Sequence, residues 1–258
     1  MSVLRSRDNP RVRRWSRLAR DTRFRRKEGR ALLEGPHLVA ALLAQGFAPL
    51  AVLATEEGLS RDEISRLVKK IRLTPVVLSE GLFRAMVDTE NPPGIAAEIA
   101  IPVQKSKLSQ TAVFLEGVQD PSNVGAIMRS AAAFGVDTVV LDQACADPWS
   151  PKALRAGMGG HFRVLIEESV DFVSHLTRFQ GKLVCAVPRG GIALQEADLA
   201  GRLGWIFGAE GQGVSEASAR RASLKVTIPM AQGSESLNVA ASAAICLYAG
   251  FSRRAAGS

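Results

Sequence analysis

The chain has 258 residues, 47% of them apolar, and a formal net charge of +8, which suits one large or two smaller domains with a real core and excludes a disordered chain. No uninterrupted run of about 18 apolar residues exists to span a bilayer, and the Arg-rich N-terminus lacks the apolar stretch and cleavage site of a secretory signal. Cys145, Cys185 and Cys246 lie far apart without C-x-x-C spacing, which argues against a disulfide frame or a zinc site and predicts a reduced, cytoplasmic protein.

Charge is concentrated at the start. Residues 1–30 carry eleven arginines and Lys27 against Asp8, Asp21 and Glu28, a net +9 in a chain that totals +8, so the remainder is close to neutral. With Trp15 and Phe24 interleaved, this block predicts phosphate contact and base stacking; a solvated amphipathic helix is the plainer alternative. The pattern then predicts a strand over 31–35, a helix over 36–46 between Pro36 and Gly46, and a strand over 50–54. A helix over 61–71, a strand over 75–78, a helix over 81–87 and a strand over 94–101 close a first unit. Residues 102–111, PVQKSKLSQT, are polar and without apolar periodicity, as a linker is.

A second alternating series follows. Strands are predicted over 112–118 and 137–141 around a helix over 123–135, then a loop, a strand over 163–167 and a helix near 169–179. Strands over 182–187, 204–208 and 224–228 come next, with a short helix near 215–222 and a final helix that takes in VAASAAICLYAG, 239–250. Strands separated by helix-length segments imply parallel pairing in a covered sheet. Both units open with Leu-Glu-Gly before a helix, at Leu33–Gly35 and Leu115–Gly117, a shared strand–turn–helix device. The expected organisation is therefore 1–101, a linker at 102–111 and 112–258.

Three stretches of the second unit can carry chemistry. In DPSNVGAIMRSAAAFG, 120–135, Asp120 or Ser122 can cap a helix and Gly135 can end it. Asn123 and Arg129 are its uncompensated polar groups, and an arginine among so many apolar neighbours requires an anion. The stretch alone reads as an internal salt bridge. In WIFGAEGQGVS, 205–215, glycines at 208, 211 and 213 follow a strand in a spacing that is not the dinucleotide fingerprint; they let backbone pass close to a ligand, with Glu210 held in the turn. In IPMAQGSESLNVAASAAICLY, 228–248, a strand ends at Pro229, and Ser234, Glu235, Ser236 and Asn238 precede a helix of small residues. They cap that helix, or line a site at its start. The second and third stretches both lie at carboxyl ends of strands, where α/β sheets bind ligands, so they can face one molecule. His37, His161 and His175 stand in no hydrolase or zincin motif and are read as satisfied or surface histidines.

Together and in this order, the three stretches resemble the signature motifs of the SpoU-type RNA ribose 2′-O-methyltransferases of the SPOUT class. The resemblance includes DPWSPKALRAGMGGHFRV, 147–164, and runs from about Ala112 to Gly250. More loosely, residues 9–43 and DTENPPGIAAEIA, 88–100, resemble the substrate-binding domain of many members, which is similar to a small RNA-binding ribosomal protein. The resemblance implies an α/β fold: a C-terminal parallel-sheet domain with a deep trefoil knot, preceded by a small α/β RNA-binding domain. It implies S-adenosylmethionine as cofactor, RNA as partner, a homodimer, no membrane and no metal. Carried over, Gly208, Gly213, Ile228, Met230 and Leu237 line the cofactor site. Arg129 handles the ribose hydroxyl, and Asn123, Glu210, Ser236 and Asn238 organise the site. Ribosomal RNA of the large subunit is the expected substrate; a transfer RNA, or a non-catalytic RNA-binding or ribosome-assembly role, is the alternative. A nicotinamide oxidoreductase is disfavoured by the glycine spacing.

Overall fold

The structure is a computed structural model and describes residues 3–87, 89, 91–103 and 110–256. It divides into two compact units, residues 1–103 with 147–162, and residues 104–146 with 163–258.

In the first unit the basic block folds into two helices, α1 (Pro10–Arg20) and α2 (Thr22–Glu28). Asn9 caps α1 by accepting from the Arg11 N–H at 2.9 Å, and Pro10 occupies the first turn, where its missing N–H costs nothing. Asp21 caps α2, and Gly29, with φ of 59°, ends it. Next come β1 (Arg30–Glu34), α3 (Pro36–Ala44), β2 (Ala51–Thr55), α4 (Glu56–Ser60), α5 (Asp62–Lys70), β3 (Val76–Leu78), α6 (Glu80–Met86) and β4 (Ile95–Ala100). The sheet order is β1-β4-β2-β3. Only β2 and β3 are parallel; β4 runs antiparallel to both β1 and β2, so the pairing here is mixed rather than all parallel.

As the plainer alternative has it, α1 is an amphipathic helix with Arg11, Arg13, Arg17 and Arg20 exposed, but the rest of the block is not simply solvated. Trp15 is fully buried and donates its indole N–H to Glu98 Oε2 at 2.7 Å, so it cannot stack on a base. Glu98, also fully buried, accepts in addition from Arg14 and Arg30, each at 2.6 Å. Arg25 is buried against Asp147, its Nη2 2.6 Å from Oδ2, and also donates to the Leu18 carbonyl and the Thr22 hydroxyl. The half-buried Phe24 lies under the Arg17 guanidinium, 3.9 Å from the ring centre. Burying a charge is tolerated only when it is paired and hydrogen-bonded, and these are.

The Arg25–Asp147 pair also explains a departure from the expected organisation. Residues 147–162, which the sequence places in the second domain, cluster with the first unit. They contain α8 (Pro151–Gly157), which packs on β1; Arg155 reaches Glu34 at 2.9 Å and Gly159 lies against Ala41. Within the same segment His161 is fully buried beside Trp149, and neither ring nitrogen has a well-formed hydrogen bond. Burial holds its pKa down to about 4, opposed only weakly by the Pro148 carbonyl and Asp147. It is thus neither a satisfied nor a surface histidine.

The second unit contains β5 (Thr111–Glu116), α7 (Pro121–Ala133), β6 (Thr138–Asp142), β7 (Leu165–Ser169), α9 (Phe172–Arg178), β8 (Lys182–Ala186), β9 (Ile192–Ala193), β10 (Leu203–Gly208), α10 (Glu216–Ala219), β11 (Leu224–Thr227) and α11 (Val239–Ala256). Thr111, expected in the linker, already pairs with Leu203; residues 104–109 of that stretch lie outside the described residues. All strand pairs are parallel, in the order β7-β6-β5-β10-β8-β11-β9. Alternation along the central strands feeds two cores. Val113, Leu115, Trp205 and Phe207 meet α7 and α11, whereas Ala112, Phe114 and Ile206 meet α9. Small residues on α11 face inward, Ala240, Ala243 and Gly250 among them, and let it pack closely on α7 and β10. No described helix is long and apolar enough to cross a membrane.

Candidate active-site cleft

A cleft of about 790 Å³ opens at the carboxyl ends of β8, β10 and β11. This is where a parallel sheet presents free backbone groups and loops. Cys185 and Ala186 enter it from β8, Phe207 and Gly208 from β10, and Val226 and Ile228 from β11 and the residue after it. The 209–214 turn and residues 235–239 supply most of the remaining wall, with Val187, Pro188, Ala219, Met230 and Ser242 completing it. All five residues expected at a cofactor, Gly208, Gly213, Ile228, Met230 and Leu237, line this one cleft, as do Glu210, Ser236 and Asn238.

The turn is tight for a steric reason. A Cβ on Gly208 would lie 2.1 Å from the Gly213 carbonyl carbon and 2.3 Å from the Val214 nitrogen. Gly211 and Gly213 instead have open space but φ of 89° and 71°, a region costly for other residues. The Gly213 N–H donates to the Ala209 carbonyl at 2.8 Å and closes the loop.

Three motifs meet in one hydrogen-bonded triangle. Asn123 Nδ2 donates to Glu210 Oε1 at 2.5 Å; Asn238 Nδ2 donates to Asn123 Oδ1 at 3.0 Å and to Glu210 Oε1 at 3.1 Å. Asn238 Oδ1 accepts from the N–H groups of Ala240 and Ala241, so this one side chain both caps α11 and binds the triangle. Ser236 lines the cleft but does not cap the helix, which corrects the expectation that both residues do. At the start of α7 the cap is Asp120, not Ser122.

Arg129 stands apart from the cleft. It is exposed, and among the described residues no carboxylate pairs with it, so the internal salt bridge expected from the sequence is absent. Asn123 and Arg129 share α7, about 9 Å apart in rise and roughly 120° apart around the axis. The first is buried under the triangle and the second faces out.

Sequence reasoning missed Glu116. Its carboxylate accepts from the Ser215 N–H at 3.0 Å, the Ser215 hydroxyl at 2.6 Å and the Ser218 hydroxyl at 3.0 Å. It thereby ties the end of β5 to α10 just after the glycine turn. The available signal was the repeated Leu-Glu-Gly, whose other glutamate, Glu34, receives Arg155. The cleft edge at Cys185–Pro188 was also missed. Burial pushes the Cys185 thiol up to about 11, so it is a neutral wall rather than a nucleophile. Among the described residues no group of three His, Cys, Asp or Glu could hold a metal.

Residues 110–248 match the SpoU rRNA methylase family, and residues 9–97 match the MRM3-like substrate-binding domain. The chain belongs to the SpoU rRNA methylase family. It is 32% identical over 251 residues to the Bacillus subtilis 23S rRNA (guanosine(2553)-2'-O)-methyltransferase RlmP, covering 96% of this chain and 98% of that protein. It is 34% identical over 159 residues to human mitochondrial rRNA methyltransferase 3, covering 58% of this chain and 37% of that one. The crystal structure of an RNA 2'-O ribose methyltransferase aligns with a TM-score of 0.84 at 26% identity, over 98% of this chain and all of the other. The Streptomyces viridochromogenes SpoU methyltransferase AviRb, solved in complex with AdoMet, shares the fold with a TM-score of 0.86 at 23% identity, over 97% of this chain and 100% of that one.

Proposed function

We propose that this chain transfers a methyl group from S-adenosylmethionine to the 2′-oxygen of a ribose in large-subunit ribosomal RNA. The observation that carries the proposal is the Asn123–Glu210–Asn238 triangle, drawn from three separated motifs and set beside the glycine-walled cleft. The cleft fits the cofactor: its volume falls in the range of small-molecule sites, about 300–1,000 Å³. Val226, Ile228, Met230 and Leu237 offer apolar wall for a nucleoside, and the crowded Gly208 brings bare backbone to the ligand.

When bound, S-adenosylmethionine supplies a methyl already activated by its sulfonium. The protein's task is then to align the acceptor oxygen and to stabilise the charge that develops on it. Arg129 does the second. A guanidinium with a pKa above about 12 is not a base at neutral pH, so it acts by its field and its fork of donors. Asn123, Glu210 and Asn238 hold the wall rigid, and Ser236 presents a hydroxyl to the reacting groups.

Arg129 lies outside the cleft of its own chain, so the working unit is a homodimer. Ile245, Tyr248 and Phe251 are 39%, 59% and 40% exposed on α11, beside the end of α7, and offer an apolar seam for a second copy. The chain after β11 returns to pack α11 on α7 and β10, as a trefoil-knotted end requires. The place of action is the cytoplasm, with the ribosome. Mapping 2′-O-methyl groups on ribosomal RNA from cells with and without this gene tests the reading. One lost site is expected, and identical maps would overturn it.

A further inference from the structure

The arginines of the basic block divide into two sets. Arg14, Arg25 and Arg30 hold buried carboxylates, as described. Arg13, Arg17 and Arg20 recur at i, i+4 and i+7 on α1 and therefore share one stripe of that helix. With Arg7 they rim a concavity of about 380 Å³ whose floor is Val12 from α1 and Leu82, Ala85 and Met86 from α6.

The carboxylate pairings of this rim are exposed, although the Arg17 guanidinium also lies over the Phe24 ring. Arg20 Nη2 donates to the Ala85 carbonyl at 2.5 Å, which fixes the helix spacing. Arg13 pairs with Asp8 at 2.5 Å and Arg17 with Asp21 at 3.5 Å, but the two carboxylates are 84% and 40% exposed. Pairs this exposed contribute little and exchange readily for another anion. Arg7 has no partner among the described residues. Four guanidiniums around an apolar floor match one chemistry: a flat, uncharged ring flanked by phosphates. Guanidinium planes stack on bases and grip phosphate through paired donors. Val12, Leu82 and Met86 are almost wholly buried, so a ring face would meet the half-buried Ala85 and the arginine side chains of the rim. A duplex presents its bases edge-on and stacked, and cannot enter a concavity of this size; an extruded base can.

We propose that the groove between α1 and α6 is a subsite for one unstacked base of a single-stranded RNA segment, with the neighbouring phosphates on Arg7, Arg13 and Arg17. It replaces the stacking role that the buried Trp15 cannot fill. The proposal rests on the reading of RNA as substrate.

Two variants separate a base pocket from a general basic surface. Arg7→Gln/Arg13→Gln/Arg17→Gln removes phosphate contacts, and Ala85→Phe fills the floor without changing charge. Binding of a short labelled single-stranded RNA, and of a hairpin duplex of the same composition, is followed by anisotropy across a salt series. Melting curves and S-adenosylmethionine titration confirm that each variant is folded. The triple variant should flatten the single-strand salt slope by about 2, near 0.7 for each lost phosphate. Ala85→Phe should weaken single-strand binding about tenfold, the loss of one stacked base, with the salt slope and hairpin binding unchanged. A triple variant with the wild-type slope, or Ala85→Phe with wild-type affinity, would overturn the subsite. If the wild-type protein transfers methyl to RNA in that case, the proposed function stands without it. Wild-type protein that neither binds nor methylates RNA would overturn both.

Discussion

Replacing Gly208 with alanine is the sharpest perturbation of the cleft. The added methyl would sit 2.1 Å from the Gly213 carbonyl carbon and 2.2 Å from its oxygen, where ordinary contact begins near 3.4 Å. The obstacle is backbone rather than a side-chain end, so the 209–214 turn must move by roughly 1 Å or more to admit it. Overpacking of this kind costs about 1–3 kcal/mol. The neighbouring Glu210 would shift with the turn and pull against the triangle. Each 1.4 kcal/mol is about a factor of ten in affinity, so the variant should bind S-adenosylmethionine roughly 10- to 100-fold more weakly by calorimetry. Its melting temperature should fall by only a few degrees, because the turn is peripheral to the core. Gly213→Ala is the control: nothing lies within 4 Å of its added carbon, and only its φ of 71° is penalised, by about 1 kcal/mol. It should lose less than Gly208→Ala. Wild-type cofactor affinity in Gly208→Ala would refute the idea that this close approach shapes the binding wall.

Asn123→Ala and Asn238→Ala remove members of one network, so their effects on methyl transfer should be strongly non-additive, with a coupling of about 0.5–3 kcal/mol in a double-mutant cycle. Additive losses would show that the triangle does not act as a unit. Arg25→Ala leaves Asp147 buried and unpaired, which costs about 3–5 kcal/mol; thermal melts should show marked destabilisation, partly recovered by adding Asp147→Ala. No shift in either variant would contradict the role of the pair in holding residues 147–162. His161 has its folded pKa lowered from 6.5 to about 4, so between those values the unfolded chain binds more protons. Stability should therefore be full above about pH 6.5 and fall as pH drops towards 4, by about 3 kcal/mol from this residue. His161→Phe should abolish that part of the denaturation profile, and an unchanged profile would show the ring is not buried in its neutral form.

The second unit was largely legible because its strands and helices carry clean signals. Asp120 with Pro121 marks the start of α7, short continuous apolar runs mark β5 and β10, and three motifs stand at the ends of strands or starts of helices. Their convergence on one cleft follows from parallel pairing. The first unit was harder to read. An Arg-rich stretch looks the same in sequence whether its guanidiniums face water or a buried carboxylate, and Glu98, the acceptor for Arg14 and Arg30, lies 84 and 68 residues away. Asp147 is farther still from Arg25, at 122 residues. Such pairings are tertiary, and no local spacing announces them. The antiparallel placement of β4 between β1 and β2 was hidden for the same reason. Glu116 was missed because its partners, Ser215 and Ser218, are about a hundred residues downstream. The short β9 and α4 carry too few residues to show a period.

The most direct measurement follows the methyl itself. Purified protein is incubated with ribosomal RNA and S-adenosylmethionine labelled in the methyl group, and the RNA is digested to nucleosides. Wild-type protein should place the label in a 2′-O-methylated nucleoside, whereas Arg129→Ala should bind the cofactor normally and transfer almost none. Label on a nucleobase, or undiminished transfer by Arg129→Ala, would contradict an exposed guanidinium acting on a ribose oxygen.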